Sequence, residues 1–169
     1  MLHKMTVIGI DPGIEKTGVG IVQLNNNELN LIHKELIYTS SKEKFEIRLE
    51  NIYNKLSEIL SNFKIDYASV EKLFFSKNVK TAINIAEVRG IIILALQQFK
   101  IPIHEYTPLQ VKQGLIGYGR GTKKQIQELI RIILKSDKIE KRDDVADGIA
   151  LAIVHLNSYK TLSKIKDIQ

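Results

Sequence analysis

Four carboxylates stand where a chain could use them together. Asp11 closes the apolar run "VIGI" of residues 7 to 10 and lies directly before Pro12-Gly13. Glu71 closes a second short run, "DYASVE", residues 66 to 71. Asp144 and Asp147 lie three residues apart in "DDVADGIA", at the start of the last helical pattern. That spacing puts both on one side of a helix. If the strands ending in Asp11 and Glu71 are neighbours, their acids emerge at the same sheet end. Acids gathered in this way repel, and they either take up protons or hold divalent cations. Carboxylate oxygens without His or Cys suit Mg²⁺ or Mn²⁺. Two such ions about 4 Å apart can activate a water and stabilise a leaving oxygen in phosphodiester cleavage. Each acid alone also has an ordinary explanation. Asp before Pro-Gly is a common turn residue, and acids in a first helical turn serve capping and the helix dipole. The joint pattern is what points to metal chemistry.

Other chemistries find less support. The four histidines, at 3, 33, 104 and 155, are scattered, and no Ser-His or Cys-His pairing is visible. The chain has no cysteine, which excludes disulfides and thiolate metal sites.

The acids need rigid elements to hold them. Residues 5–11, 18–24 and 29–38 read as three strands in antiparallel hairpins, with "NNNE" at 25–28 as a turn. Ser40 stands three residues before Glu43, a capping-box spacing, and a helical pattern then runs to about residue 62. A fourth strand ends on Glu71, a long apolar helix spans about 78–99, and 101–106 is a fifth strand. Thr107-Pro108 starts a short helix, and Thr122 caps another over 123–135. The last helix runs from about 141 to 159, its core stripe being Val145, Ile149, Ala152, Ile153 and Leu156, and the tail beyond reads as loosely held. Strands followed by alternating β and α elements predict an α/β domain, a mixed five-stranded sheet with helices on both faces. No repeat or linker divides the 169 residues, so one domain is expected over 1–169, with an ordered core of about 5–158. Gly148 within the last helix costs about 1 kcal/mol against Ala, which suggests a close approach to the sheet or to a metal.

The net charge of +6 favours an anionic partner such as nucleic acid, although a lysine-rich surface alone also produces it. The amino terminus lacks the long apolar stretch of a signal peptide, and "GIIILAL" is too short to span a bilayer. A cytoplasmic protein without membrane association is expected.

Several segments taken together resemble a known family. "GIDPGIEKTGVGIV", "SVEKLFFSKN", "EVRG", "QVKQGLIGYGRGTKKQIQ" and "DDVADGIALAIVH" are similar, in order and interval, to the motifs of the RuvC family of bacterial Holliday-junction resolvases. They cover residues from about 6 to 157. The resemblance implies an RNase H-like fold of the retroviral-integrase superfamily, a homodimer, and a Mg²⁺-dependent endonuclease. Such an enzyme resolves four-way DNA junctions by paired symmetric nicks near a TT step. It leaves 5′-phosphate ends and works beside the RuvA–RuvB complex.

Carried over by motif, the catalytic and metal-holding acids are Asp11, Glu71, Asp144 and Asp147, around two Mg²⁺ ions that Mn²⁺ can replace. Asp143 could shift the third ligand by one residue. The resemblance also makes Lys123 a catalytic lysine near the scissile phosphate. It makes Phe74 a base-stacking aromatic, with Phe75 beside it as the alternative. Lys77, Lys112, Arg120, Lys123 and Lys124 join Phe74 as DNA-binding residues, and the lysines and arginine form a basic surface. "DPGIEKTG" also resembles the phosphate loop of actin-like ATPases and sugar kinases, but those need two related domains and the chain has room for one. A catalytically dead DNA-binding relative would have no use for four clustered acids. Another nuclease of the same superfamily is the nearest competing reading. The long apolar helix, with Ile83, Ile85 and Ile91 to Leu96, offers more apolar surface than one sheet face needs and could carry a dimer contact.

Overall fold

The computed structural model describes residues 4–72, 79–117, 121–135 and 143–166. β1 (Met5–Asp11) runs through the middle of a five-stranded sheet of order β3-β2-β1-β4-β5. β2 (Lys16–Asn25) and β3 (Glu28–Tyr38) follow as antiparallel partners. Asn26 and Asn27 turn the chain between them at φ 47° and 68°. Two successive left-handed residues match the right-handed twist of a tight hairpin, and Asn accepts that conformation more readily than most side chains. β4 (Tyr67–Glu71) and β5 (Ile103–Tyr106) complete the sheet, each parallel to its neighbour.

Helices cover both faces, as expected of the sequence. α1 (Phe45–Asn62) and α2 (Val79–Gln98) lie on one. α3 (Pro108–Ile116), α4 (Lys123–Leu134) and α5 (Asp143–Lys166) lie on the other. The alternation of β1 serves both layers. Ile8 and Ile10 enter the core with Ile52, Leu56, Val88 and Ile92. Met5 and Val7 enter the core with Ile149 and Leu151. The same alternation turns Gly9 and Asp11 toward α5.

α5 lies unusually low on the sheet. A Cβ on Gly9 would strike the carbonyl oxygen of Gly148, and one on Gly18 would strike that of Asp144. A Cβ on Gly20 would stand 2.7 Å from Ile149 Cα. On the helix side, a Cβ on Gly148 would come within 2.8 Å of the Gly18 carbonyl. Backbone therefore meets backbone, and the approach to the sheet expected of Gly148 is real.

Three local expectations need correction. α5 does not bury a single stripe: Ala150, Leu151 and Val154 are buried together with Ile149, Ala152, Ile153 and Leu156. The helix is sandwiched between the sheet and α3 and α4, so its whole circumference is apolar there. α5 also continues to Lys166, past the end expected near 159. No Gly or Pro interrupts residues 160–166. Finally, α1 starts at Phe45 with Lys44 as its N-cap, not at the Ser40–Glu43 spacing. Glu43 Oε2 accepts from the Ser40 amide at 3.3 Å, but in the turn before the helix. The capping roles of Thr107 and Thr122 hold, each within a full capping box with Gln110 and Gln125.

Gly9→Ala is expected to cost about 3 kcal/mol or more, because neither backbone can yield without moving α5. Thermal melting should show a loss of about 6–12 °C. An unchanged Tm would mean that the helix does not need this contact.

Candidate active site

The sheet places two acids side by side. β1 and β4 are parallel with Ile10 opposite Val70, so the next residues, Asp11 and Glu71, end adjacent strands at one edge. Both lie on the α5 side of the sheet by alternation. Their carboxyl groups share a hydrogen bond. The glycine contact brings in the remaining acids. Gly18 is the register partner of Asp11, and the Asp144 carbonyl sits over Gly18. The first turn of α5 is thereby fixed beside Asp11, with Asp147 one turn further on.

The electrostatics agree with this placement. The Asp11 carboxyl is pushed up to about 8, first by burial, then by the charges of Glu71 and Asp147, the hydrogen bond with Glu71 and the charge of Asp144. Burial also raises Glu71, against which the hydrogen bond from Asp11 and the nearby Lys123 act in the opposite sense. Burial and mutual crowding thus push both carboxyl groups of the pair upward. Lys123, the first residue of α4, extends its Nζ to 3.9 Å from Asp147 Oδ2 while remaining well exposed. All four expected acids and Lys123 thus belong to one cluster.

The other expected site residues divide. Lys112 is half-buried on α3 and Lys124 is exposed on α4. Neither makes an ion pair or side-chain hydrogen bond among the described residues. Phe74, Phe75, Lys77 and Arg120 lie outside the described residues, as does the side chain of Asp143.

The donor set fits a hard divalent cation. It consists of carboxylate oxygens, it is partly buried, and its mutual repulsion leaves charge that a cation would neutralise. Among the described residues, no three His, Asp or Glu side chains are gathered closely enough to hold a metal ion. The fit is one of chemistry and placement, and holding an ion requires the carboxylates to close up.

Sequence reading missed the residues that support Asp11 from behind. Between Asp11 and its partner strand the chain makes a loop, residues 12–15, whose carbonyls need donors. The Thr17 hydroxyl donates to the Gly13 carbonyl at 2.7 Å. Thr39, just past β3, donates its hydroxyl to the Ile14 carbonyl and its amide to the Glu15 carbonyl, the latter at 3.0 Å. Arg48 of α1 donates from Nε to the Thr39 hydroxyl oxygen at 2.9 Å. Thr17 and Thr39 are buried. Thr17 carried a signal, standing four residues after Gly13, whereas Thr39 and Arg48 carried none.

Two histidines scattered in sequence meet in space. The rings of His104 and His155 lie 4.4 Å apart beside Tyr67, and Tyr106 Oη hydrogen-bonds His155 Nδ1 at 2.9 Å. Burial, and then His104, push His155 down to about 4. This group is an aromatic filling between β5 and α5.

A mixed five-stranded sheet whose central parallel strands end in acids, crossed on one face by an acidic helix start, defines an RNase H-like α/β domain. The family model described as crossover junction endodeoxyribonuclease RuvC matches residues 7–155. RuvC of Clostridioides difficile (strain 630) is 43% identical over 164 residues, 97% of each chain. RuvC of Caldicellulosiruptor saccharolyticus is 49% identical over 155 residues, 91% of this chain and 93% of that protein. Among solved structures, T. thermophilus RuvC in complex with Holliday junction substrate matches with a TM-score of 0.85 at 28% identity, covering 93% of this chain and 96% of that one. The yeast mitochondrial Holliday junction resolvase Ydc2, at 14% identity and TM-score 0.72, shares the fold. The chain belongs to the RuvC family.

Folding raises the Asp11 value from 3.8 to about 8, so the folded chain binds more protons than the unfolded chain across that window. Stability contributed by the protonated form is therefore lost as pH rises from about 4 toward 8. Metal-free Asp11→Asn should escape this loss and melt a few degrees above wild type at pH 7.5. It should also lose most of the Tm increase that Mg²⁺ gives the wild type. A mutant less stable than wild type at that pH would contradict the crowding of acids around Asp11.

Proposed function

We propose that this chain resolves four-way DNA junctions in recombination and repair, as a structure-selective endonuclease making paired symmetric nicks. The observation that carries the reading is the union of Asp11 and Glu71 on adjacent parallel strands with Asp144 and Asp147 on the helix start above them, in a member of the RuvC family.

In this reading Asp11, Glu71, Asp144 and Asp147 hold two Mg²⁺ ions, which Mn²⁺ can replace. Bound there, the ions stabilise charge on a phosphodiester under attack and acidify water. Asp11 lies between Glu71 on one side and the α5 acids on the other, so it would be the central member of the set that holds them. Its position in the central strand fixes its backbone. Lys123, beside Asp147 and exposed, is placed to neutralise a phosphate oxygen. Lys112, Lys124, Lys77 and Arg120 supply further phosphate contacts, and Phe74, or Phe75, stacks on a base at the crossover. The products carry 5′-phosphate ends.

Two active sites are needed for paired nicks, and a two-fold homodimer provides them against a junction of matching symmetry. Ile83 and Leu94 of α2 are 54% and 52% exposed on a helix whose other face is core, which suits α2 to carry the dimer contact. The RuvA–RuvB complex is the expected partner and the cytoplasm the expected location. Among the described residues, no helix is long and apolar enough to cross a membrane.

Labelled four-way junctions with Mg²⁺, tested beside Y-forks, linear duplex and an RNA–DNA hybrid, decide the matter. The wild type is expected to nick only the junction, symmetrically. Asp11→Asn should cut at least 100-fold more slowly while still binding the junction, because the change removes a group needed for chemistry more than for phosphate contact. Cutting of the hybrid alone would overturn the reading. Leu94→Glu should turn the dimer into a monomer by light scattering, and a wild type that is already monomeric at micromolar concentration would refute the α2 contact.

A further inference from the structure

The loop that follows Asp11 is held by a set of hydrogen bonds that no role in chemistry explains. Three successive carbonyls, those of Gly13, Ile14 and Glu15, each receive a donor from one of two buried threonines. Loop carbonyls at a surface are usually satisfied by water. Here they are satisfied by Thr17 of β2 and by the hydroxyl and amide of Thr39 just past β3, while Arg48 of α1 donates to the Thr39 hydroxyl oxygen behind them.

The chemistry of the Thr39 hydroxyl sharpens the point. A hydroxyl has one hydrogen and two acceptor positions. Arg48 Nε occupies the oxygen as a donor, so the single hydrogen is left for the Ile14 carbonyl. Arginine cannot reverse this direction, because its guanidinium only donates. The Ile14 carbonyl can only accept, so the Thr39 hydrogen goes to it, and Arg48 holds the Thr39 oxygen from the other side. The Ile14 side chain packs into the core on the α1 and α2 side, so the loop is anchored by apolar contact as well. Arg48 makes no ion pair among the described residues, so this bond is the side-chain contact that the structure gives it.

We infer that Thr39 and Arg48 are positioning residues for metal binding: they fix the loop behind Asp11 so that its carboxylate meets the ions in place. The inference rests on the proposed metal-dependent cleavage. The four acids crowd one another at the end of β1, and a carboxylate whose following backbone could shift would have to be brought back into place before ions could be held. Fixing the backbone on both sides of Asp11, by the strand before it and the pinned loop after it, prevents that shift and lowers the reorganisation needed when ions enter. Neither residue touches DNA or metal in this scheme.

The test uses the full-length chain with Thr39→Val, Thr39→Ser and Arg48→Lys. Valine keeps the shape of threonine without the hydroxyl, serine restores the hydroxyl, and lysine keeps the positive charge without Nε. The Mg²⁺ concentration giving half-maximal junction cleavage is expected to rise about tenfold in Thr39→Val and to move in the same direction in Arg48→Lys. The midpoint of the Mg²⁺-induced Tm shift, read without DNA, should move in parallel. Junction affinity in EDTA should stay at the wild-type value, and Thr39→Ser should restore the metal dependence. If Thr39→Val does not fold, Arg48→Lys and Thr39→Ser carry the comparison. A lower Tm with unmoved Mg²⁺ midpoints would mark a purely structural strut and overturn the inference. So would full retention of metal affinity in Arg48→Lys together with weaker DNA binding, which would make Arg48 a phosphate contact instead. A wild type that leaves junctions intact would refute the cleavage reading, a result separate from either of these.

Discussion

The contact of α5 with the sheet through bare backbone is the constraint on which the rest of the structure depends. Gly9, Gly18 and Gly20 on the strands and Gly148 on the helix remove the side chains that would otherwise hold the helix off the sheet. The helix start then reaches the level of the strand ends. Without this approach Asp144 and Asp147 would stand a side chain's width too high to share a field with Asp11. The glycine in a helix interior, unfavourable by propensity, is offset by the apolar packing that surrounds α5 on every side.

Around that contact the structure arranges opposing demands. The acids destabilise one another, and Asp11 shows it most. The elements that carry them are among the most securely packed in the molecule, with Val7, Ile8 and Ile10 of β1 and Ile149 of α5 fully buried. Rigidity in the frame is what allows repulsion in the site. The ion pair between Arg89 of α2 and Glu105 of β5 and the His104–His155–Tyr106 filling tie the outer strand to helices on its two faces. β4 is thereby held between two fixed neighbours, which keeps Glu71 in register with Asp11.

Much of this is legible in the sequence because it depends on local pattern. Alternating apolar residues that stop on Asp11 and Glu71 reveal strand ends, and the Asp144–Asp147 interval reveals a helix side. The threonine caps before α3 and α4 have their partners three residues away. What was not legible depends on distance through the chain. Gly9, Gly18 and Gly20 read as ordinary strand glycines until α5 is placed over them. Thr39 has no local partner, since its bonds run back to Ile14 and Glu15 and forward to Arg48. The stripe assigned to α5 was too narrow because helical periodicity cannot show that α3 and α4 cover the outer face. The two histidines, far apart in sequence, become neighbours only because β5 packs against α5.

The same glycine contact joins the two ends of the chain. Gly9 belongs to the first strand and Gly148 to α5, so the site closes only through a contact between residues far apart in the chain. Such contacts form late in folding, after hairpins and neighbouring helices have already reduced the search. A chain emerging from the ribosome displays Asp11 and Glu71 while its final helix is still unmade. Chains that stop short of α5 therefore carry Asp11 and Glu71 without Asp144 and Asp147, and lack half of the acids of the proposed site. Under the proposed function, synthesis itself would act as a safeguard, with cutting ability arriving only once residues 143–166 have been made.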